Sequence, residues 1–128
     1  MNTKFKIEFI EDQLGQITID DFKENFIVNT EYWDQKKYKN QWSRSLELMK
    51  NGENSIFLTS ISEHPLSTKR AWVCYIINSE AVFQEHLIFP EELVTEFDEN
   101  KPELSIQDYE SIDEDGDQIS EWRIKNNT

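Results

Sequence analysis

Cysteine, histidine and glycine are scarce in this chain of 128 residues, and long apolar runs are missing altogether. The single cysteine, Cys74, cannot close an intrachain disulfide, on which small oxidised secreted domains usually depend. The reducing cytoplasm is therefore the expected compartment. The three glycines, Gly15, Gly52 and Gly116, form neither a Gly-x-Gly cluster nor a phosphate loop, which speaks against nucleotide binding. The two histidines, His64 and His86, lack the fixed spacing of metal-ligand pairs, so neither a metal nor another cofactor is expected. The longest apolar run, 71–77, falls far short of the ~20 residues that a membrane-crossing helix requires. The opening residues 1–8 alternate charge with apolar side chains, so no secretory leader is expected and the chain reads as soluble.

Basic residues are also few. The chain holds 13 Lys and Arg against 26 Asp and Glu, a formal charge of −13. Such a surface repels nucleic acid and anionic lipid, so neither is an expected partner. The imbalance is local. Residues 1–89 carry 13 acids and 10 bases, net −3, whereas residues 90–128 carry 13 acids and 3 bases, net −10. Like charges crowded into one third of a chain repel one another, and a cationic partner relieves that repulsion.

The length suits one hydrophobic core, so residues 1–128 are read as a single domain. Eight Phe, four Trp and four Tyr supply its large buried groups. Phe5, Ile7 and Phe9 alternate with charged residues over 4–10, the period of a half-buried strand. Residues 16–19 read as a second strand after a turn at 12–15, and Phe22 and Phe26 anchor a segment of undetermined type. Tyr38, Trp42, Leu46 and Met49 fall at spacings of 4, 4 and 3, which predicts a long helix over about 32–50. Thr30 or Asp34 would cap its start and Asn51-Gly52 its end. Three antiparallel strands follow at 55–61, 71–77 and 81–89, the last two joined by a turn at Asn78-Ser79-Glu80.

Pro90 opens a predicted short second helix near 90–97. Residues 98–110 read as irregular, and a closing hairpin pairs Ser111-Ile112 with 119–124, placing Trp122 and Ile124 inward. The last residues, 125–128, are expected to fray. The predicted class is α+β, a mainly antiparallel sheet packed against one long helix.

Reactive chemistry finds little support. Cys74 lies inside an apolar strand, where cysteine behaves as an inert hydrophobe. Asp113, Asp115 and Asp117 alternate like the entry of a calcium loop, but with Gly116 at loop position six, Ser111 and Trp122 occupy the first and twelfth positions, which need aspartate and glutamate. A polar turn explains them better. No nucleophile, base and metal-ligand set comes together, so no catalytic residue is assigned, and neither an enzymatic activity nor a small-molecule substrate is expected.

The acidic last third remains as the candidate partner-binding face. Its first half carries Glu91, Glu92, Glu96, Asp98, Glu99 and Glu103. Its second half carries Asp108, Glu110, Asp113, Asp115 and Asp117, with Glu114 beside them and Tyr109 as an aromatic anchor.

The string Asp21-Phe22-Lys23-Glu24-Asn25-Phe26, then Tyr32-Trp33, Tyr38, Gln41-Trp42 and Leu46, and finally Asp115-Gly116 with Ile119-Ser120-Glu121-Trp122, resembles the immunity proteins of contact-dependent growth inhibition systems. The resemblance runs nearly the whole chain and rests on scaffold residues. It implies a cytoplasmic, non-catalytic protein that binds the toxic C-terminal domain of a neighbouring cell's surface protein, often a nuclease. Carboxylates would then occupy a basic cleft built to hold phosphates. An alternative with the same charge is a DNA mimic or regulatory adaptor that occupies a host nucleic-acid-binding protein. Such a mimic should array acids along helices, whereas these fall in late loops.

Overall fold

The computed structural model describes residues 4–125. Strands β1 (Phe5–Glu11), β2 (Leu14–Ile19) and β3 (Phe22–Ile27) form one antiparallel sheet in the order β1-β2-β3. Helix α1 (Gln35–Lys50) follows, and β4 (Ser55–Ser60), β5 (Lys69–Ile77), β6 (Glu80–Ile88) and β7 (Trp122–Lys125) form a second antiparallel sheet in that order. The α+β class and the central hairpins agree with the sequence reading.

Local chemistry sets the ends of these elements. Asp34 caps α1 by accepting a hydrogen bond from the Lys37 N–H at 2.9 Å. Gly52, at φ +79°, lets the chain leave the helix through paired bonds, Gly52 N–H to the Met49 carbonyl and Glu53 N–H to the Leu48 carbonyl. Asn78 and Ser79 both take positive φ, 51° and 67°, the two-residue turn whose twist suits a hairpin, and Ile77 pairs with Glu80 across it.

The stripe expected on α1 is the buried one: Tyr38, Trp42 and Met49 are buried and Leu46 is half-buried. Gln41 and Ser45 are buried beside them, because α1 lies along the outer edge of β4. Gln41 Nε2 donates to the Ile56 carbonyl at 2.7 Å and its Oε1 accepts from the Leu58 N–H at 2.9 Å. Ser45 also donates to the Ile56 carbonyl, and Trp42 Nε1 donates to the Leu58 carbonyl at 2.8 Å. Side chains of the helix thus complete a strand edge that would otherwise present unpaired backbone groups.

One face of the second sheet packs on the first through aromatic rings. Phe5 stacks on Phe83 at 4.7 Å between centroids, and Phe22 on Trp122 at 4.2 Å. Because successive strand residues point to opposite faces, Tyr75, Gln84 and His86 look the other way. That second face meets the chain from 89 to 121.

One open segment is resolved and three local expectations need correction. The segment around Phe22 and Phe26 is strand β3, held by pairing to β2 from Leu14↔Ile27 to Ile19↔Phe22. The main helix begins at Gln35, not Tyr32. The second helix near 90–97 is a single 3-10 turn, Pro90–Glu92: Phe89 offers no side-chain cap, and Leu93 is already extended at ψ 145°. The closing hairpin reduces to one bridge, Ile112↔Gln118, while Trp122–Lys125 pairs with β6, including Phe83↔Trp122. Trp122 and Ile124 pack against the core as expected. Lys125 ends β7, and residues 126–128 of the expected frayed tail lie outside the described residues.

Candidate functional site

Residues 89–121 form a strap with little regular structure, a 3-10 turn at Pro90–Glu92 and another at Pro102–Ser105. Being irregular, it depends on side chains for its course. Tyr75 Oη donates to the Gln107 carbonyl at 3.0 Å, and Tyr75 and Tyr109 meet edge to face at 5.3 Å. Gln84, fully buried on β6, donates to the Glu110 carbonyl at 3.0 Å and to Glu121 Oε1 at 3.1 Å. Arg44 of α1 donates to the Asn100 carbonyl and pairs with Glu103.

Glu121 is the centre of the strap's far end. Tyr109 Oη donates to its Oε1 at 2.7 Å, and Arg123 reaches its Oε2 at 2.8 Å. Burial pushes its carboxyl up, but the hydrogen bonds from Tyr109, Arg123 and Gln84 outweigh burial and hold it below the usual carboxylate range. His86 Nε2 lies 2.8 Å from Gln84 Oε1, and burial lowers its pKa, which favours the neutral ring.

The carboxylates of the predicted face divide into two groups. Glu99 accepts a bond from Tyr32 Oη at 3.0 Å, Glu103 is paired with Arg44, and Asp98 Oδ1 receives the Asn100 N–H at 2.9 Å. Asp113 Oδ1 receives the N–H groups of Asp115 and Asp117, each at 2.9 Å, which makes the Asp113–Asp117 turn a self-bonded one. Tyr109 is half-buried and its hydroxyl serves Glu121 and Arg123. These residues build the strap. Glu91, Glu92, Glu96, Asp108, Glu110, Asp115 and Asp117 are exposed, as is Glu114, and their carboxylates have no ion pair among the described residues. They form the outward charge.

A groove of about 360 Å³ between β6 and the strap is lined by Glu92, Asp108, Glu110 and Glu114 together with Gln84 and His86 of β6 and apolar side chains. A smaller hollow of about 270 Å³ adjoins it and holds Glu96 and Asp98, sharing Asp108. The sequence reading missed the apolar part of this surface. Phe89 beside the groove and Val94 and Leu104 in the hollow are exposed, Val94 completely; Phe89 reads as the end of a strand, and the only signal for the other two is apolar residues without a regular period in an acidic stretch. Among the described residues no group of three His, Cys, Asp or Glu is placed to hold a metal ion. No helix of those residues is long and apolar enough to cross a membrane.

Residues 28–128 match the CdiI N-terminal domain family. The immunity protein CdiI of Enterobacter cloacae subsp. cloacae is 34% identical over 119 residues, covering 91% of this chain and 81% of that protein. A chain of a solved CdiA-CT/CdiI toxin and immunity complex from Enterobacter cloacae superposes with a TM-score of 0.76 at 29% identity, covering 94% of this chain and 86% of its own.

Proposed function

The chain belongs to the CdiI N-terminal domain family, and from that membership we propose that residues 1–128, as one domain, bind and neutralise the C-terminal toxin domain of a contact-dependent growth inhibition system in the cytoplasm. The similar solved chain comes from a complex of a toxin with its immunity protein, which supports a toxin domain as this chain's partner. The family is one of inhibitors, and the chain is not an enzyme.

The observation that carries the finer reading is the set of outward carboxylates on the strap that have no ion pair among the described residues. A nuclease holds phosphates in a basic cleft. Carboxylates presented by a pinned surface compete for the same cationic groups, and complementary potentials speed the encounter before the toxin acts. In this reading the toxin is a nuclease, and the strap occludes its cleft with Glu91, Glu92, Glu96, Asp108, Glu110, Asp115 and Asp117. Glu99, Glu103, Asp98, Asp113 and Tyr109 belong to the same face but act by shaping it.

Co-expression tests the proposal. The toxin domain encoded beside this chain should arrest growth when induced alone, and this chain should restore growth and co-purify with it in a one-to-one complex. Arrest despite abundant folded chain, with no complex recovered, contradicts it. Recovery of a host DNA-binding protein instead favours mimicry.

A further inference from the structure

The groove between β6 and the strap has two chemistries in one small space. Apolar side chains, Val73, Leu93, Ile106 and Ile119 among them, line it together with Gln84 and the neutral His86 of β6, while Glu92, Asp108, Glu110 and Glu114 line the same 360 Å³. The groove is also fixed in place. Gln84, fully buried, holds the Glu110 carbonyl, and Tyr75 holds the Gln107 carbonyl, so the strap is bonded to the sheet on both sides of Asp108. A preformed surface of this kind spares its partner the cost of ordering it.

Among the described residues, no lysine or arginine lines it. The bases beyond residue 90 are Lys101, Arg123 and Lys125. Arg123 is bound to Glu80 and Glu121, and neither Lys101 nor Lys125 lines the groove. Phosphate is repelled by four carboxylates. A wholly apolar side chain would strip water from those carboxylates without replacing it. Lysine and arginine combine the two properties required, an aliphatic stem that covers apolar surface and a charged head that stays at its polar edge.

We propose that this groove receives a lysine or arginine side chain from the toxin domain, its stem along the apolar lining residues and its head among Glu92, Asp108, Glu110 and Glu114. The proposal rests on the toxin-binding reading above. It separates the roles of carboxylates that all face the toxin's cleft: those in the groove set how long the complex lasts, and those outside it chiefly steer the approach.

Two variants with the same change in charge test the division. One is E92Q/D108N/E110Q/E114Q, in the groove; the other is E91Q/E96Q/D115N/D117N, outside that groove on the same strap. Circular dichroism establishes that both fold, and the rates of binding to the toxin domain are then measured. Both variants should associate more slowly, by similar factors. Only the groove variant should dissociate faster, by about tenfold or more. Equal dissociation rates overturn the proposal.

Substitution of each toxin lysine and arginine by alanine then identifies the occupant. One such change should speed dissociation from the wild-type chain and add little with the groove variant. No basic residue behaving so, or an apolar one doing so instead, also overturns it. If the wild-type chain does not bind the toxin domain at all, the toxin-binding reading fails and the groove proposal falls with it; if it binds but both variants dissociate alike, only the groove proposal fails.

Discussion

Gln41 meets Leu58 as a residue of a neighbouring parallel strand would. Its side-chain carbonyl takes the Leu58 N–H at 2.9 Å, while its NH₂ gives a bond to the carbonyl two residues earlier, Ile56, at 2.7 Å. The primary amide has the donor and acceptor of a peptide group, so one buried side chain terminates the sheet where a further strand would add. The helix is thereby fixed to β4 by polar geometry as well as by its apolar stripe.

Gln41→Leu should therefore cost more than its small change of shape suggests. The Ile56 carbonyl keeps the Ser45 hydroxyl, but the Leu58 N–H is left buried and unpaired, at about 1–3 kcal/mol. Urea denaturation should show the midpoint lowered with an unchanged slope. An unaltered midpoint refutes the role assigned to the amide.

Gly15 lies opposite Phe26 in the β2–β3 pair, and a Cβ built there comes 2.5 Å from the Phe26 ring. Phe26 is buried and meets Trp42 edge to face at 6.2 Å, so the ring cannot withdraw without disturbing the core. Gly15→Ala should destabilise the fold by about 1–3 kcal/mol, although alanine suits a strand better than glycine does. Thermal unfolding checks the sign, and a stabilised variant contradicts the close packing.

Glu121 gives the fold a pH dependence at its acid end. Its carboxyl, raised by burial but held down more strongly by Tyr109, Arg123 and Gln84, has a folded pKa below the ordinary carboxylate value. A depressed carboxylate contributes stability above its unfolded pKa, and that contribution is lost as pH falls through the folded one. Glu121→Gln should cost about 1–2 kcal/mol at pH 7, allowing for the exposure of Arg123, and progressively less below pH 4. A cost that does not change with pH removes Glu121 as the source.

Cys74 should be inert in the native state. Burial pushes its thiol up to about 12, so almost no thiolate exists at pH 7. Native protein should resist an alkylating reagent that modifies the urea-unfolded chain within minutes. Equal rates would show that β5 opens far more readily than its packing allows.

The sequence disclosed those parts of the fold that local chemistry specifies. Asn78-Ser79, Asp34 and Asn51-Gly52 act within a few residues of themselves, and each is found where turn and cap preferences put it. Phe22 and Phe26 were ambiguous because a spacing of four suits a helix stripe and a strand face alike; pairing with β2, which placed Phe26 against Gly15, decided between them. Leu93 and Phe97 share that spacing, yet both pack on the core from chain outside any helix. The acidic character of the strap was legible from charge alone. Its course was not, because Tyr75, Gln84 and Arg44 fix it from 32, 26 and 56 residues away in the chain.

The central claim is that the strap's negative surface captures a cationic partner, and the association rate with the toxin domain as a function of salt tests it most directly. Opposite charges attract across water over a distance that shrinks from about 30 Å at 0.01 M salt to about 8 Å at 0.15 M. Association should slow steeply over that range, and the slope should flatten when Glu91, Glu92, Glu96, Asp108, Glu110, Asp115 and Asp117 are neutralised. A rate indifferent to salt in the unmodified protein would contradict the claim.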